Sequence, residues 1–197
     1  MTRKYDMKRR SERQEETRRR IVEATVELHQ TVGMARTTIS AIAKKAGVQR
    51  LTVYRHFPDE RALFSACSGH WSAANPPPDP ASWTQIADPE ERLRSALAEV
   101  YGYHRRTEPM ISNVVRDAQV HPLTREIAEP YFQHWERMRY VLATGWGVGD
   151  ERLALLLGTL GHALDFQTWR SLVRQQGLSD EQAVEAMAGT VRCLMRD

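Results

Sequence analysis

Between Thr37 and Phe57 the chain reads TTISAIAKKAGVQRLTVYRHF, and few stretches restrict a fold so tightly. Thr38 is an N-cap for ISAIAKKA, a short helix with Ile39, Ile42, Ala43 and Ala46 on its packing side. Gly47 supplies the left-handed residue that ends it, and Ala43, four positions earlier, lets a second helix approach closely. That second helix, from Gln49 to Phe57, is too polar for a core. Val53 and Phe57 lie one turn apart and anchor one side, while Leu51 and Arg55 stand opposite, flanked by Arg50, Thr52 and Tyr54. Two short helices joined by a glycine turn make a helix-turn-helix.

The rest of the chain is punctuated as helices, with no alternating β-branched pattern, so the fold class is all-α: an N-terminal three-helix helix-turn-helix domain, then a C-terminal helical bundle. Ser11 and Gln14 form a capping box that opens the first helix, whose core side is Ile21, Thr25, Leu28 and Val32 and which ends at Gly33. Asp59 caps ERALFSACSGHWSAA. A proline-rich connector, NPPPDPASWTQIADP, follows from Asn75. Asp88-Pro89-Glu90-Glu91 starts a helix to about Arg106, with Leu93, Leu97, Val100 and Tyr101 inward and a shorter helix after Pro109. Pro122 opens a segment through Arg139 that Pro130 is expected to kink or split. Further helices run from Asp150 to about Arg174 and, behind a capping box of Ser179 and Gln182, to Met195. GWGVGD, with no strand pattern before it, reads as a helix–helix connector. The expected domains are 1–58, the helix-turn-helix with a basic N-terminal arm, and 59–197, the helical body.

Charge points to the partner. Residues 1–61 hold 15 Lys+Arg and 8 Asp+Glu, a net +7, and the remainder nets −4. A basic head on a mildly acidic body suits a polyanion, nucleic acid first. The helix after the turn carries matching chemistry. Arg gives two parallel hydrogen bonds to the O6/N7 edge of guanine, Thr serves a base edge or a thymine methyl, and Leu51 offers apolar contact to that methyl. Tyr54 and His56 suit phosphate oxygens, which set register. The tail MTRKYDMKRRSERQ is either a solvated end or an arm in the minor groove.

Residues 17–64 resemble the DNA-binding domain of the TetR family of transcriptional regulators, through TT before the second helix, AxxxGV at the turn and TVYxHFPxxxxLF after it. The resemblance implies that the helix after the turn enters the major groove. By position it implies phosphate contacts for Tyr54 and His56, and base reading by Arg50, Leu51, Thr52 and Arg55 with Gln49 at the leading edge. Thr38 would offer its hydroxyl or amide to phosphate, with Ser40 on the same strand or a base. Many members carry serine where Gln49 stands and lysine where Glu60 stands, with Arg61 beside it here. The family further implies a double-stranded DNA operator, a ligand-sensing and dimerisation domain over 59–197, a homodimer through the last two helices as dimerisation helices, and a small-molecule effector bound among the middle helices. Tyr103, Met110, Val114, Trp135, Met138, His162 and Phe166 are the expected ligand-binding residues.

In the last helix Ala183, Ala186, Thr190 and Cys193 make a small-residue stripe and Val184, Met187, Val191 and Leu194 a larger apolar one; one faces its own bundle and the other a partner. His162 and Asp165 sit at i,i+3, but no third ligand accompanies them, so neither metal nor cofactor is expected. HExxH, GxSxG and Walker sequences are missing, and no catalytic residue is assigned. Cys67 and Cys193 build no disulfide framework, the start lacks the apolar segment of a signal peptide, and no apolar run approaches a membrane span, so the expected location is the cytoplasm. The reading is a sequence-specific transcriptional regulator, a ligand-released repressor. Its rivals are a DNA-bound scaffold without a ligand and an α-helical enzyme with a basic nucleic-acid-binding head.

Overall fold

The computed structural model describes residues 2–195; Met1, Arg196, Asp197 and the side chains of residues 2–6 lie outside the description, and with them the outer part of the basic tail. Among the described residues there is no strand. The helices are α1 (Thr2–Thr31), α2 (Ile39–Ala46), α3 (Arg50–His56), α4 (Glu60–Ala74), α5 (Pro89–Ala118), α6 (Pro122–Ala143), α7 (Asp150–Leu164), α8 (Phe166–Arg170) and α9 (Asp180–Met195). They form two compact units, Met1–Pro76 with Pro109–Ala128, and Pro77–Glu108 with Glu129–Asp197.

The first unit has one core. Ile21, Val22 and Ala24 of α1 meet Ile39, Ile42, Ala43 and Ala46 of α2, Val53 and Phe57 at α3, and Leu63 and Phe64 of α4. The sequence boundary after Pro58 therefore differs from the compact unit, because Leu63, Phe64 and Cys67 bury α4 in the same unit as the helix-turn-helix. The end of α5 grips the end of α1. Asn113 donates to the carbonyls of His29 (2.9 Å) and Gln30 (2.8 Å), and the carboxylate of Asp117 accepts from the Ala35 N–H (3.0 Å). The Asn113 amide thereby satisfies carbonyls that a helix C-terminus leaves open, and Asp117 takes a backbone amide just beyond it. Gly33, at φ 94°, sits so close that a Cβ there would lie 2.2 Å from the Arg116 guanidinium.

In the second unit Tyr101, Tyr103 and His104 of α5 are buried with Leu156, Leu160 and Leu164 of α7, Phe166 and Trp169 of α8, and Val184, Met187 and Val191 of α9. Trp83, in the proline-rich connector, is fully buried and anchors that segment to the unit.

Several expected boundaries shift. Ser11 does not open α1, which starts at Thr2: the residues before it are strong helix formers, and i,i+4 pairs such as Lys8–Glu12 (3.9 Å) replace a cap. α5 runs unbroken through Pro109 and α6 through Pro130. Each proline removes one hydrogen bond, and apolar burial on both sides outweighs that loss: Tyr103 and Thr107 precede Pro109, and Met110, Ile111 and Val114 follow it. In α6, Ala128 and Met138 flank Pro130. The expected helix from Asp150 to Arg174 breaks at Asp165, whose carboxylate caps α8 by accepting from the Gln167 (2.6 Å) and Thr168 (3.3 Å) amides. The carbonyls released at the end of α7 are taken by the Tyr101 hydroxyl (to Ala163, 3.0 Å) and by His104 Nε2 (to Leu164, 3.0 Å). Other signals hold as expected. Thr38 Oγ1 caps Ala41, Asp59 caps Ala62, Asp88 caps Glu91, and Ser179 and Gln182 cap each other.

Candidate nucleic-acid interface

The turn before α3 is built by two bonds. Gly47 adopts φ 66° and ψ 37°; its N–H reaches the Lys44 carbonyl (3.3 Å), and the Val48 N–H reaches that of Ala43 (2.9 Å). This pair closes the end of α2 and turns the chain into α3. Gln49 holds the N-cap position with no side-chain hydrogen bond; its carbonyl alone takes the Thr52 N–H (2.9 Å) and the Val53 N–H (3.3 Å). α3 is thus held from beneath, by Val53 (1% exposed) and Phe57 (3% exposed), with the Arg18 guanidinium 5.0 Å over the Phe57 ring.

The other side faces outward. Leu51 is 77% exposed, Tyr54 41%, and Gln49, Arg50 and Arg55 are also exposed, with Thr52 and His56 half-buried. Among the described residues, Arg50, Thr52, Tyr54 and Arg55 form no side-chain hydrogen bond or ion pair within the chain. An apolar side chain as exposed as Leu51 gains nothing for the fold, and the donors beside it are left to solvent or a partner. Thr38 and Ser40 are exposed at the start of α2. Because Thr38 Oγ1 accepts from the Ala41 amide at 3.2 Å, its own O–H remains a donor. His56 is held below its ordinary titration range by burial and by the charges of Arg55 and Arg18, so the imidazole is neutral at pH 7, and its Nε2 is buried without a partner. Glu60 is exposed, and Arg61 beside it is paired with Glu126, so that cation is already engaged.

Three arginines that the sequence places in a solvated tail or a minor-groove arm stand elsewhere. Arg9, Arg10 and Arg13 of α1 share a cleft with Arg55 and His56. Their i,i+1,i+4 spacing was the available signal, hidden by starting the helix at Ser11.

The residues expected to hold a ligand divide between the units. Met110 and Val114 are buried in the first. In the second, Tyr103 and Trp135 have ring centroids 5.8 Å apart, and both surround His104, which lies 5.3 Å from Trp135 and 5.5 Å from Phe166. Met138 is buried in the same unit, whereas His162 is exposed and contacts the Thr168 hydroxyl at 3.1 Å. The centre of the cluster is His104, which the expected set omits. Burial lowers its titration to about 4, leaving a neutral ring whose Nδ1 has no partner. Burial also pushes the Tyr103 hydroxyl up to about 12. On α9, Val184, Met187 and Val191 are buried, while Ala186, Cys193 and Leu194 are exposed and Thr190 is exposed beside them, so the small-residue stripe is the outward one except at Ala183. Among the described residues no helix is long and apolar enough to cross a membrane.

Comparisons with known proteins agree with this geometry. Residues 21–67 match the family of bacterial regulatory proteins described as the tetR family. The nucleoid occlusion factor SlmA of Marinobacter nauticus is 45% identical over 49 residues, a span covering 25% of this chain and 25% of that relative. A TetR-like transcriptional regulator from Rhodococcus sp. RHA1 superposes with a TM-score of 0.62 at 17% identity, over 89% of this chain and 93% of the other. A TetR transcription regulator from Haloarcula marismortui gives 0.55 at 17%, over 91% and 96%. At such identities the likeness of the whole chain is one of fold, and the family signature is concentrated in the helix-turn-helix. Residues 21–67 thus carry the signature of the tetR family, and the chain as a whole has the fold seen in TetR-like transcriptional regulators.

Proposed function

We propose that this protein is a dimeric, sequence-specific repressor that a small molecule releases from its operator. The observation that carries the reading is α3: a helix pinned by two buried side chains and presenting donors that no described residue engages. In the major groove, Arg50 reads guanine, Thr52 a base edge or methyl, and Leu51 a thymine methyl, with Gln49 at the leading edge. Tyr54, His56, Thr38 and Ser40 take phosphates, and the neutral imidazole of His56 contributes one N–H. One such helix covers a few base pairs, so useful specificity calls for two half-sites and two copies. The outward stripe of Ala186, Thr190 and Cys193 on α9 suits close helix approach to a second copy.

For the effector, the aromatic cluster around His104 supports a flat, largely apolar molecule carrying one hydrogen-bond donor for Nδ1. Tyr103, Trp135, Met138 and Phe166 supply its walls, with Met110, Val114 and His162 as further candidates. The effector acts as inducer if it binds more tightly to a form whose two heads miss adjacent major grooves.

The test is selection of bound duplexes from a random pool, followed by titration at several salt concentrations. A defined sequence is expected, with Arg50→Ala relaxing preference at particular base pairs and Tyr54→Phe weakening all duplexes alike. Recovery of no preferred sequence at any salt would sink the operator claim. Addition of aromatic alcohols or amines to the selected complex then tests release, and His104→Phe should abolish any release seen.

A further inference from the structure

The first turns of α1 have no core to join. From Met7 to Glu16 every side chain is exposed, and the helix is polar on all sides. Its internal support consists of surface pairs such as Lys8–Glu12 (3.9 Å) and Arg19–Glu16 (2.5 Å). A helix of this kind is stabilised chiefly by what it meets. Arg9, Arg10 and Arg13 fall together by register, with Gln14 and Thr17 completing the row and Glu12 and Glu16 on the flank beyond Arg9 and Arg13. That face and the end of α3 line an open cleft of about 550 Å³, to which α3 contributes Arg55 and His56. Among the described residues, no carboxylate lines it. Glu12 and Glu16 are paired with Lys8 and Arg19, and at His56 the field of Glu15 is outweighed by Arg55 and Arg18.

We propose that this cleft seats the sugar-phosphate backbone of the duplex beside the bases read by α3. Arg9, Arg10 and Arg13 are its donors, and Arg55 serves the cleft instead of a base edge. The inference rests on α3 occupying the major groove, and it extends the footprint past the family's matched segment, which begins at Ile21. Arg9 and Arg13 stand one turn apart, about 6 Å along the axis, so they address successive phosphates of an extended polyanion better than one small anion. A lipid surface fits poorly, because this part of the helix has no apolar face to insert. The same geometry replaces the flexible minor-groove arm with a helix lying along the backbone.

The salt dependence of binding tests the proposal on two duplexes: the one selected from the random pool and an unrelated duplex of equal length. Removing one phosphate contact lowers the slope of log affinity against log salt by about 0.9. The triple variant Arg9→Ala/Arg10→Ala/Arg13→Ala should lower it by about 2 to 3 per head on both duplexes, with base preference unchanged. The triple lysine variant should restore most of the slope. Arg55→Ala should weaken every base variant of the selected duplex equally, with a slope smaller by about 1. Circular dichroism and melting of each variant establish that the fold is intact. An unchanged slope in the triple alanine variant would overturn the cleft, and altered base preference in Arg55→Ala would return that residue to the bases. Loss of inorganic tripolyphosphate binding in the triple variant without a change in the DNA slope would assign the cleft to a small anion and also overturn the proposal. A wild-type protein that retains the slope but shows no sequence preference would defeat the reading of α3 while leaving the cleft standing.

Discussion

α3 and the cluster around His104 use the same kinds of side chain in opposite ways. In α3, Arg50, Thr52 and Tyr54 point away from the protein, and only Val53 and Phe57 hold the helix down. Around His104 the polar groups face inward, and most are committed: the Tyr101 hydroxyl and His104 Nε2 to the end of α7, and the Trp169 indole to Asp180 at 3.0 Å. Groups that complete a fold are expensive to remove and poorly placed for a partner, whereas the α3 donors add little to stability and remain available. The exceptions inside the cluster, among the described residues, are His104 Nδ1 and Trp135 Nε1, buried atoms that the proposed effector would complete.

This contrast predicts a separation between stability and DNA binding. The largest effect belongs to Trp169→Ala, which removes a fully buried indole and leaves a cavity beside His104; a loss of about 3–5 kcal/mol in denaturant unfolding is expected. A loss below about 1 kcal/mol would mean that the cluster is loosely packed. Next comes pH. His29 and His104 are each held near 4 by burial, against an ordinary value of 6.5. The unfolded chain therefore binds more protons than the folded one between these values, and stability falls as pH drops from about 6.5 toward 4. Each histidine contributes about 2 kcal/mol of loss between about pH 7 and pH 5. Because the two histidines lie in different units, His29→Gln and His104→Gln should each flatten the curve for their own unit, read by hydrogen exchange. Equal flattening of both units by one variant would contradict that assignment.

Smaller effects sharpen the other side of the comparison. Thr38→Ala removes the cap on α2 and should cost about 1 kcal/mol in melting experiments; if its hydroxyl also donates to a phosphate as proposed, DNA binding weakens with it. Leu51→Ala should leave stability within about 0.5 kcal/mol, being a surface change, yet reduce affinity at thymine-containing positions of the selected duplex. If Leu51→Ala destabilised the fold instead, α3 would not be the outward-facing helix described.

The helix-turn-helix that carries the candidate interface was readable in the sequence because its signals are short-range. Thr38, Gly47, Asp59 and the Val53–Phe57 pair act over four residues or fewer, and each behaves as its chemistry requires. The Ser179–Gln182 box holds for the same reason. Elsewhere local signals met longer-range competition. The box at Ser11 gave way to good helix formers on either side, and Pro109 to apolar burial before and after it. The break at Asp165 depends on Tyr101 and His104, some sixty positions earlier, which satisfy the open carbonyls at the end of α7. No local pattern announces them.

The sequence by itself determined an all-helical chain, a glycine turn between two short helices, and the identity of the side chains that α3 carries, since caps and turns are settled by neighbouring backbone groups. Only the tertiary structure decided that α4 joins the helix-turn-helix core, that the small-residue stripe of α9 faces outward, that His104 is the centre of its cluster, and that three arginines of α1 lie beside Arg55. Those outcomes depend on which distant surfaces meet, and burial at such meetings outweighs the small free energies that local propensities carry.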